Sequence, residues 1–132
     1  MTKDTAPLQA LIVENDATGR ELLARVLRLH GCVADTVIGA RAAAAVLAAP
    51  GPRYDLLVAD VKIDWADGLD LLRGVAAMMP LRRPRQIVVI SDQPGDYSKR
   101  LADLGLELEL FQKPVHLPSL VKVLEKLRDG AP

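Results

Sequence analysis

Five short apolar runs alternate along this chain with stretches whose apolar residues recur at helical spacing. The runs are too short for helices, and four are apolar almost throughout, which is typical of strands buried on both faces. Strands that alternate with helices predict an α/β fold, in which helices cover both faces of a parallel sheet. The predicted strands span residues 8–13, 32–37, 54–59, 87–90 and 106–111.

A helix is predicted after each strand. The first begins at an N-cap, Asp16 or Thr18, and ends at Gly31, which can adopt left-handed backbone. The second covers residues 41–49, and the third begins beyond Gly68 and stops at Pro80. The fourth and fifth are predicted at about residues 95–104 and at 117–127. In the last strand leucines alternate with glutamates, which predicts an edge strand with one wetter face.

Length and charge exclude several classes of protein. The 132 residues suit a single domain, which we expect to have its core at about residues 8–127. Because 17 basic residues balance 17 acidic ones and aromatic side chains are few, direct binding of nucleic acid is not expected. The single cysteine suits a reducing cytoplasm. No apolar stretch reaches the roughly 18 residues of a spanning helix, so we expect a cytoplasmic protein without membrane contact.

Polar residues that follow the predicted strands are the candidates for chemistry, because ligands of such sheets bind beyond the carboxyl ends of the strands. Carboxylates at two strand ends, Glu14 and Asp60, would repel each other unless a cation or a raised pKa relieved the repulsion. Mg²⁺ suits such a pair because it prefers oxygen ligands. Ser91 and Lys113 could then hold phosphoryl oxygens, and an aspartate can be a covalent acceptor. The full set is Glu14, Asn15, Asp16, Asp60, Lys62, Ser91, Asp92 and Lys113.

Each of these residues also has a structural interpretation. Asp16 alone is better explained as a helix cap than as a ligand, and Lys113 alone as a solvated loop lysine. Asp60 is harder to dismiss, because burying a lone carboxylate at the end of an apolar strand is costly. The coincidence of four strand ends favours a site. The remaining candidates are expected to be structural: His30 and His116 as helix-end residues, and Arg82, Arg83 and Arg85 as a solvated loop.

Over residues 8–127 the chain resembles the receiver domain of two-component response regulators. The resemblance rests on five segments in order: LIVEND ending at Asp16, YDLLVAD ending at Asp60, WADGLDLL from Trp65, IVVIS ending at Ser91, and QKP around Lys113. It implies a flavodoxin-like, doubly wound sheet of five parallel strands in the order 2-1-3-4-5, with five helices. It also implies a signalling module, with at most self-phosphorylation and self-dephosphorylation as enzymatic activity.

The resemblance assigns roles to the candidate residues. Asp60 corresponds to the aspartate that accepts a phosphoryl group from a histidine kinase or a phosphotransfer protein. Mg²⁺ would be held by Glu14, Asn15, Asp60 and the backbone carbonyl of Lys62. Ser91 would donate a hydrogen bond to the phosphoryl group, and Lys113 would pair with it.

The resemblance also implies a switch between inactive and active states. Its parts correspond to Ser91 and to Leu110, three residues before Lys113, and its readout is the face made by helix 4, strand 5 and helix 5. An output domain or a downstream protein would bind there. By analogy, the same face is a candidate for homodimerisation.

Five residues, at four places in the chain, depart from the pattern of the family. Asn15 replaces an aspartate, which should weaken metal binding unless Asp16 compensates, and Ile63-Asp64 replaces the usual Met-Pro pair. Asp92 stands where Ala or Gly is usual, and its charge would oppose an incoming phosphoryl group. Leu110 replaces Tyr or Phe, while Phe111 should point to the opposite face.

These departures leave an alternative function open. The chain would then be a phosphorylation-independent pseudo-receiver that acts as a protein-interaction module. A hydrolase of the aspartyl-phosphate type is disfavoured, because it needs a second aspartate where the chain has Lys62.

Overall fold

The computed structural model describes residues 6–61, 65–92 and 94–130. Five strands form one parallel sheet in the order β2-β1-β3-β4-β5, which confirms the predicted topology. The strands are β1 (Leu8–Val13), β2 (Cys32–Val37), β3 (Leu56–Val61), β4 (Gln86–Ser91) and β5 (Glu109–Gln112). The helices are α1 (Ala17–Leu29), α2 (Ala40–Ala48), α3 (Trp65–Ala77), α4 (Pro94–Ala102) and α5 (Leu117–Arg128), with a 3-10 turn at Pro80–Arg82.

Helices cover both faces of the sheet because side chains alternate between the faces along each buried strand. In β1, Ala10 and Ile12 belong to the core under α1 and α5. Leu11 and Val13 belong to the core under α2, α3 and α4. In the part of the chain that the structure describes, no helix has the length and apolar character needed to cross a membrane.

The last strand is shorter than its sequence pattern predicts. Only Glu109–Gln112 pairs with β4, whereas the alternation of leucine and glutamate predicts residues 106–111. Leu106 and Leu108 still pack against the core under α2, α3 and α4. Alternation therefore marks a segment with one buried face, and it does not require ladder hydrogen bonds. The predicted edge position of β5 is confirmed.

Strands β3 and β4 extend further than predicted at their carboxyl ends. Asp60 and Ser91 are strand residues, and the register pairs Asp60 with Ile90 and Ser91 with Val61. Both side chains therefore take their direction from the sheet and not from a loop.

Both ends of α1 follow the sequence-based prediction. Asp16 is the N-cap, and its Oδ2 accepts a hydrogen bond from the Gly19 backbone N–H at 2.8 Å. Gly31 adopts a φ of 86° just beyond the helix. His30 is the C-cap residue, and His116 is the N-cap residue of α5, so both are helix-end residues as predicted.

The expectation of a solvated arginine loop is wrong for Arg83, which is partly buried, whereas Arg82 and Arg85 are exposed as expected. The Arg83 guanidinium donates to the carbonyl oxygens of Ala76 and Met78 at 2.6 and 3.1 Å, at the end of α3. Arg85 donates to the Leu127 carbonyl oxygen at 3.2 Å, in the last turn of α5. Carbonyl groups at helix C-termini lack intrahelical donors, and Arg83 supplies donors at the end of α3. The Leu127 carbonyl oxygen also accepts from the Gly130 backbone N–H at 3.2 Å, so Arg85 adds a second donor there.

Candidate functional site

The candidate residues meet at the carboxyl edge of the sheet. Glu14 follows β1, Asp60 lies near the end of β3, Ser91 ends β4, and Lys113 follows β5. The Lys113 backbone N–H donates to the Ser91 carbonyl oxygen at 3.0 Å, which holds the β5–α5 connection against β4. Three neighbouring strands and the edge strand thus bring together residues that are up to 99 positions apart, from Glu14 to Lys113.

An ion pair joins Lys113 to Asp60. The Lys113 Nζ lies 2.5 Å from the Asp60 Oδ2, and the Asp60 side chain is only 1% exposed. Burial lowers the pKa of the Lys113 ammonium, but the hydrogen bond to Asp60 and the nearby charges of Asp60, Glu14 and Asp92 raise that pKa above its ordinary value. The buried carboxylate therefore keeps a fixed cation beside it, which offsets part of its desolvation cost.

Glu14 is a second buried carboxyl group at this site, with only 3% of the residue exposed. Its Oε1 accepts a hydrogen bond from the Asp16 backbone N–H at 2.9 Å. Burial, followed by a side-chain hydrogen bond to Asp60 and the charge of Asp60, raises the pKa of Glu14 to about 7. The two carboxyl groups therefore interact directly, and ionising both of them is costly.

Asp60 has two carboxylate oxygens with different surroundings. With both carboxyl groups ionised, its Oδ1 is buried and has no hydrogen-bond partner among the described residues. A proton or a cation between Glu14 and Asp60 would relieve both the unpaired oxygen and the repulsion. A buried oxygen acceptor beside a second carboxylate fits Mg²⁺, which binds proteins through one or two carboxylates and keeps several waters.

The remaining predicted ligands are less well defined. Asn15 is exposed next to Glu14, and its backbone carbonyl oxygen accepts from Arg20 at 3.5 Å. Lys62, Ile63 and Asp64 lie outside the described residues, so the Lys62 carbonyl stays a prediction. Among the residues that the structure does describe, no three His, Cys, Asp or Glu side chains group to hold a metal ion. The predicted set has only two carboxylates and does not require such a group.

The first turn of α1 contributes two residues that the sequence alone does not single out. A Cβ on Gly19 would lie 3.5 Å from the Glu14 carboxyl carbon and 3.3 Å from the Asp16 Oδ2, so glycine allows the helix to approach the site closely. The Arg20 guanidinium donates to the Glu14 carbonyl oxygen at 3.1 Å and holds the β1–α1 turn. Only the three-dimensional packing gives these residues their roles.

A crevice of about 690 Å³ opens onto the site. Its polar lining is Glu14, Asp16, Asp92 and Lys113, and its apolar wall comes mainly from α1 and the start of α5. The ion pair is therefore accessible from solvent on the Lys113 side, where the lysine side chain is 27% exposed.

The switch position lies on the far face of the sheet from α1 and α5. Leu110 packs, partly buried, against the core under α2, α3 and α4. Phe111 packs against the core under α1 and α5, which confirms that the two side chains point to opposite faces. Phe111 therefore does not replace the ring that Leu110 lacks.

Glu14 gives a testable prediction for the metal-free protein. Because the pKa of Glu14 rises from its ordinary value of 4.5 to about 7 on folding, the folded protein keeps a proton that the unfolded chain loses. Stability is therefore lost as pH rises from about 4.5 to about 7, and it stays low above that window. We expect Glu14→Gln to raise the free energy of unfolding by roughly 2 kcal/mol at pH 8 and by little at pH 4.5.

Urea unfolding in chelator at the two pH values measures this difference. Glu21→Gln on the exposed side of α1 is the matched control and should change neither value. An equal effect of Glu14→Gln at both pH values would contradict the raised pKa.

The fold carries an acidic site at the carboxyl edge of its sheet, and comparison with known proteins gives the family. Residues 10–125 match the response regulator receiver domain, and the chain belongs to this family. The transcriptional regulatory protein TcrA of Mycobacterium tuberculosis is 32% identical over 126 residues, which cover 95% of this chain and 47% of TcrA. The chain thus spans about half the length of this curated relative.

Solved structures agree with this assignment. A response regulator receiver protein from Pseudomonas putida is 29% identical, with a TM-score of 0.77 over 92% of this chain and 98% of that one. A CheY-like receiver domain from Methylobacillus flagellatus is 27% identical, with a TM-score of 0.76 over 92% of this chain and 99% of that one. The protein is therefore a receiver domain of the two-component type, which is a signalling module and not a typical enzyme.

Proposed function

We propose that this receiver domain accepts a phosphoryl group on Asp60 from a partner histidine kinase or phosphotransfer protein, in a reaction that depends on Mg²⁺. The observation that carries this proposal is the environment of Asp60. Its side chain is almost fully buried and its Oδ2 pairs with Lys113, while its Oδ1, near the Glu14 carboxyl group, has no hydrogen-bond partner among the residues that the structure describes. A carboxylate held in this way is a fixed nucleophile with a cation ready for the product.

Transfer would form a bond between an Asp60 carboxylate oxygen and phosphorus as the bond from phosphorus to the imidazole nitrogen of the donor breaks. The electron pair of that bond stays on the nitrogen, and the leaving group is a neutral imidazole when the other ring nitrogen carries a proton. Lys113 would pair with the phosphoryl oxygens, and the Ser91 hydroxyl would donate a hydrogen bond to them. When bound, Mg²⁺ supplies charge neutralisation for the transferred group.

The residues that would hold Mg²⁺ are Glu14, Asn15 and Asp60, with the Lys62 backbone carbonyl as a further ligand. We expect Asn15→Asp to tighten Mg²⁺ binding about tenfold, because a charged oxygen ligand replaces a neutral one. Calorimetric titration with Mg²⁺ measures the change. Unchanged affinity would mean that Asn15 is not a ligand.

Asp16 offers a matched control for this titration. Its side chain already caps α1, and asparagine is an equally good N-cap residue. Asp16→Asn should therefore preserve both the fold and the Mg²⁺ affinity. A clear loss of affinity in this variant would identify Asp16 as a ligand that compensates for Asn15.

Leu110 favours a second candidate function, a phosphorylation-independent interaction module. A leucine packed into the core cannot undergo the ring reorientation on which the family's switch depends. In that case a partner should bind the wild type and Asp60→Asn with equal affinity, whether or not a phosphoryl donor is present. A change of affinity on phosphorylation of the wild type alone would favour the first proposal.

The setting and partners follow from the same proposal. We place the protein in the cytoplasm as a single domain of residues 1–132, with its core at about 8–127. The face made by α4, β5 and α5 would bind an output domain or a downstream protein, or a second copy of the chain. Direct contact with nucleic acid is not part of the proposal.

A further inference from the structure

We propose that Asp92 is a specificity-determining residue, whose negative charge makes the site select phosphoryl donors by their net charge. It would favour donors that release phosphorus from a protonated nitrogen over acyl phosphates. This inference rests on the proposed function and adds a preference among its donors.

Asp92 occupies the mouth of the site. It directly follows the buried Ser91 at the end of β4, and its own side chain is exposed. It lines the same crevice as Glu14, Asp16 and Lys113. A donor that enters this crevice towards the Lys113–Asp60 ion pair therefore passes the Asp92 carboxylate.

The charge of Asp92 acts on groups that enter the site. Asp92 lines the crevice together with Lys113, the cation that would pair with the transferred phosphoryl group. A negative charge beside this cation opposes an incoming anion, and this opposition grows with the charge of the anion. Acidic residues at a cleft of this kind bias which charged molecules enter it.

Two small donors separate charge from reactivity. Acetyl phosphate is a dianion at neutral pH, and transfer to Asp60 breaks its phosphorus–oxygen bond and releases acetate. Phosphoramidate carries a protonated nitrogen and one net negative charge, and transfer breaks its phosphorus–nitrogen bond and releases neutral ammonia. In both reactions the new bond joins an Asp60 oxygen to phosphorus. The nitrogen donor shares its bond type with phosphohistidine.

Asp92→Asn tests the inference because it removes the charge and keeps the size of the side chain. With Mg²⁺ present at low ionic strength, we expect the rate of phosphorylation to rise about twofold with phosphoramidate and about fourfold with acetyl phosphate. The second factor is the square of the first, because Coulomb energy is proportional to the charge of the donor. Intact-protein mass over time gives both rates.

Asp103→Asn is the matched control. Asp103 is exposed and follows the nine-residue helix α4, which is about 13 Å long, and it lines a different crevice with Arg73 and Arg100. Salt screens a charge at a separation of this order, so neither rate should change. Raising the ionic strength should also reduce the difference in phosphorylation rate between the wild type and Asp92→Asn.

The outcomes are distinct. Equal factors for the two donors, or no change in either, in protein that does accept the phosphoryl group would overturn the inference and leave the proposed function standing. Absence of phosphorylation in every variant with both donors would overturn the proposed function, and the donor preference with it.

Discussion

Asp60→Asn is expected to reduce phosphorylation of this protein to background while leaving its fold intact. The two side chains have the same shape, but a neutral amide lacks the carboxylate oxygen that would attack phosphorus. The fold should persist because the apolar residues of β3 pack on both faces of the sheet independently of Asp60. Loss of the buried charge removes both the repulsion with Glu14 and the ion pair with Lys113, and these two effects on the free energy of unfolding oppose each other in the absence of metal.

Reduction with borohydride after treatment with a phosphoryl donor, followed by peptide mapping, locates the acceptor. We expect the reduced residue at position 60 in the wild type and none in Asp60→Asn. Asp16→Asn is the control for a neighbouring carboxylate in the same crevice, and it should be modified at position 60 like the wild type. Modification that persists in Asp60→Asn would move the acceptor to another residue.

Lys113→Ala is expected to have the second-largest effect. Its ammonium contacts the buried carboxylate in the resting protein and would pair with phosphoryl oxygens in the product. Removing one charged donor of this kind should slow transfer on the order of 100-fold. The free energy of unfolding of the unphosphorylated variant should also fall by about 2 kcal/mol at pH 8. This is less than the loss expected for a fully buried ion pair, because Lys113 is partly exposed.

Phosphorylation time courses measure the rate of transfer, and urea unfolding measures the free energy of unfolding. Lys122→Ala, on the exposed side of α5, removes the same charge away from the site and should change neither. Fully phosphorylated Lys113→Ala should also have the same partner affinity and association state as unphosphorylated Lys113→Ala. If that form responds as the wild type does, Lys113 does not transmit the signal.

Much of the fold could be predicted from the sequence because short apolar runs and helical spacing are local properties. The parallel α/β arrangement, the edge position of β5 and the cap at Asp16 follow from such patterns. The length of β5 could not be predicted in this way. Leucine at every second position indicates one buried face, but only the register against β4 determines which of those residues pair.

The sequence predicts where the candidate site lies, but it does not predict the contacts within the site. Strand ends identify Glu14, Asp60, Ser91 and Lys113, because parallel strands end at one edge of a sheet. The ion pair between Asp60 and Lys113 joins residues 53 positions apart, and the raised pKa of Glu14 depends on burial. Both follow from three-dimensional packing.

The contacts of Arg83 and Arg85 could not be predicted from the sequence either. A cluster of charges in a sequence is usually exposed, and nothing local reveals that a helix end lies within reach. In the structure both guanidinium groups donate to carbonyl oxygens at the ends of α3 and α5. Such contacts depend on elements that are distant along the chain.

The most direct test of the account is the mass of the intact protein after incubation with acetyl phosphate, with Mg²⁺ and with chelator. A gain of one phosphoryl group that requires Mg²⁺ is the predicted result, and Asp60→Asn should show no gain. A folded wild-type protein that gains nothing from acetyl phosphate, from phosphoramidate or from a genuine partner kinase would contradict the account and favour the phosphorylation-independent module.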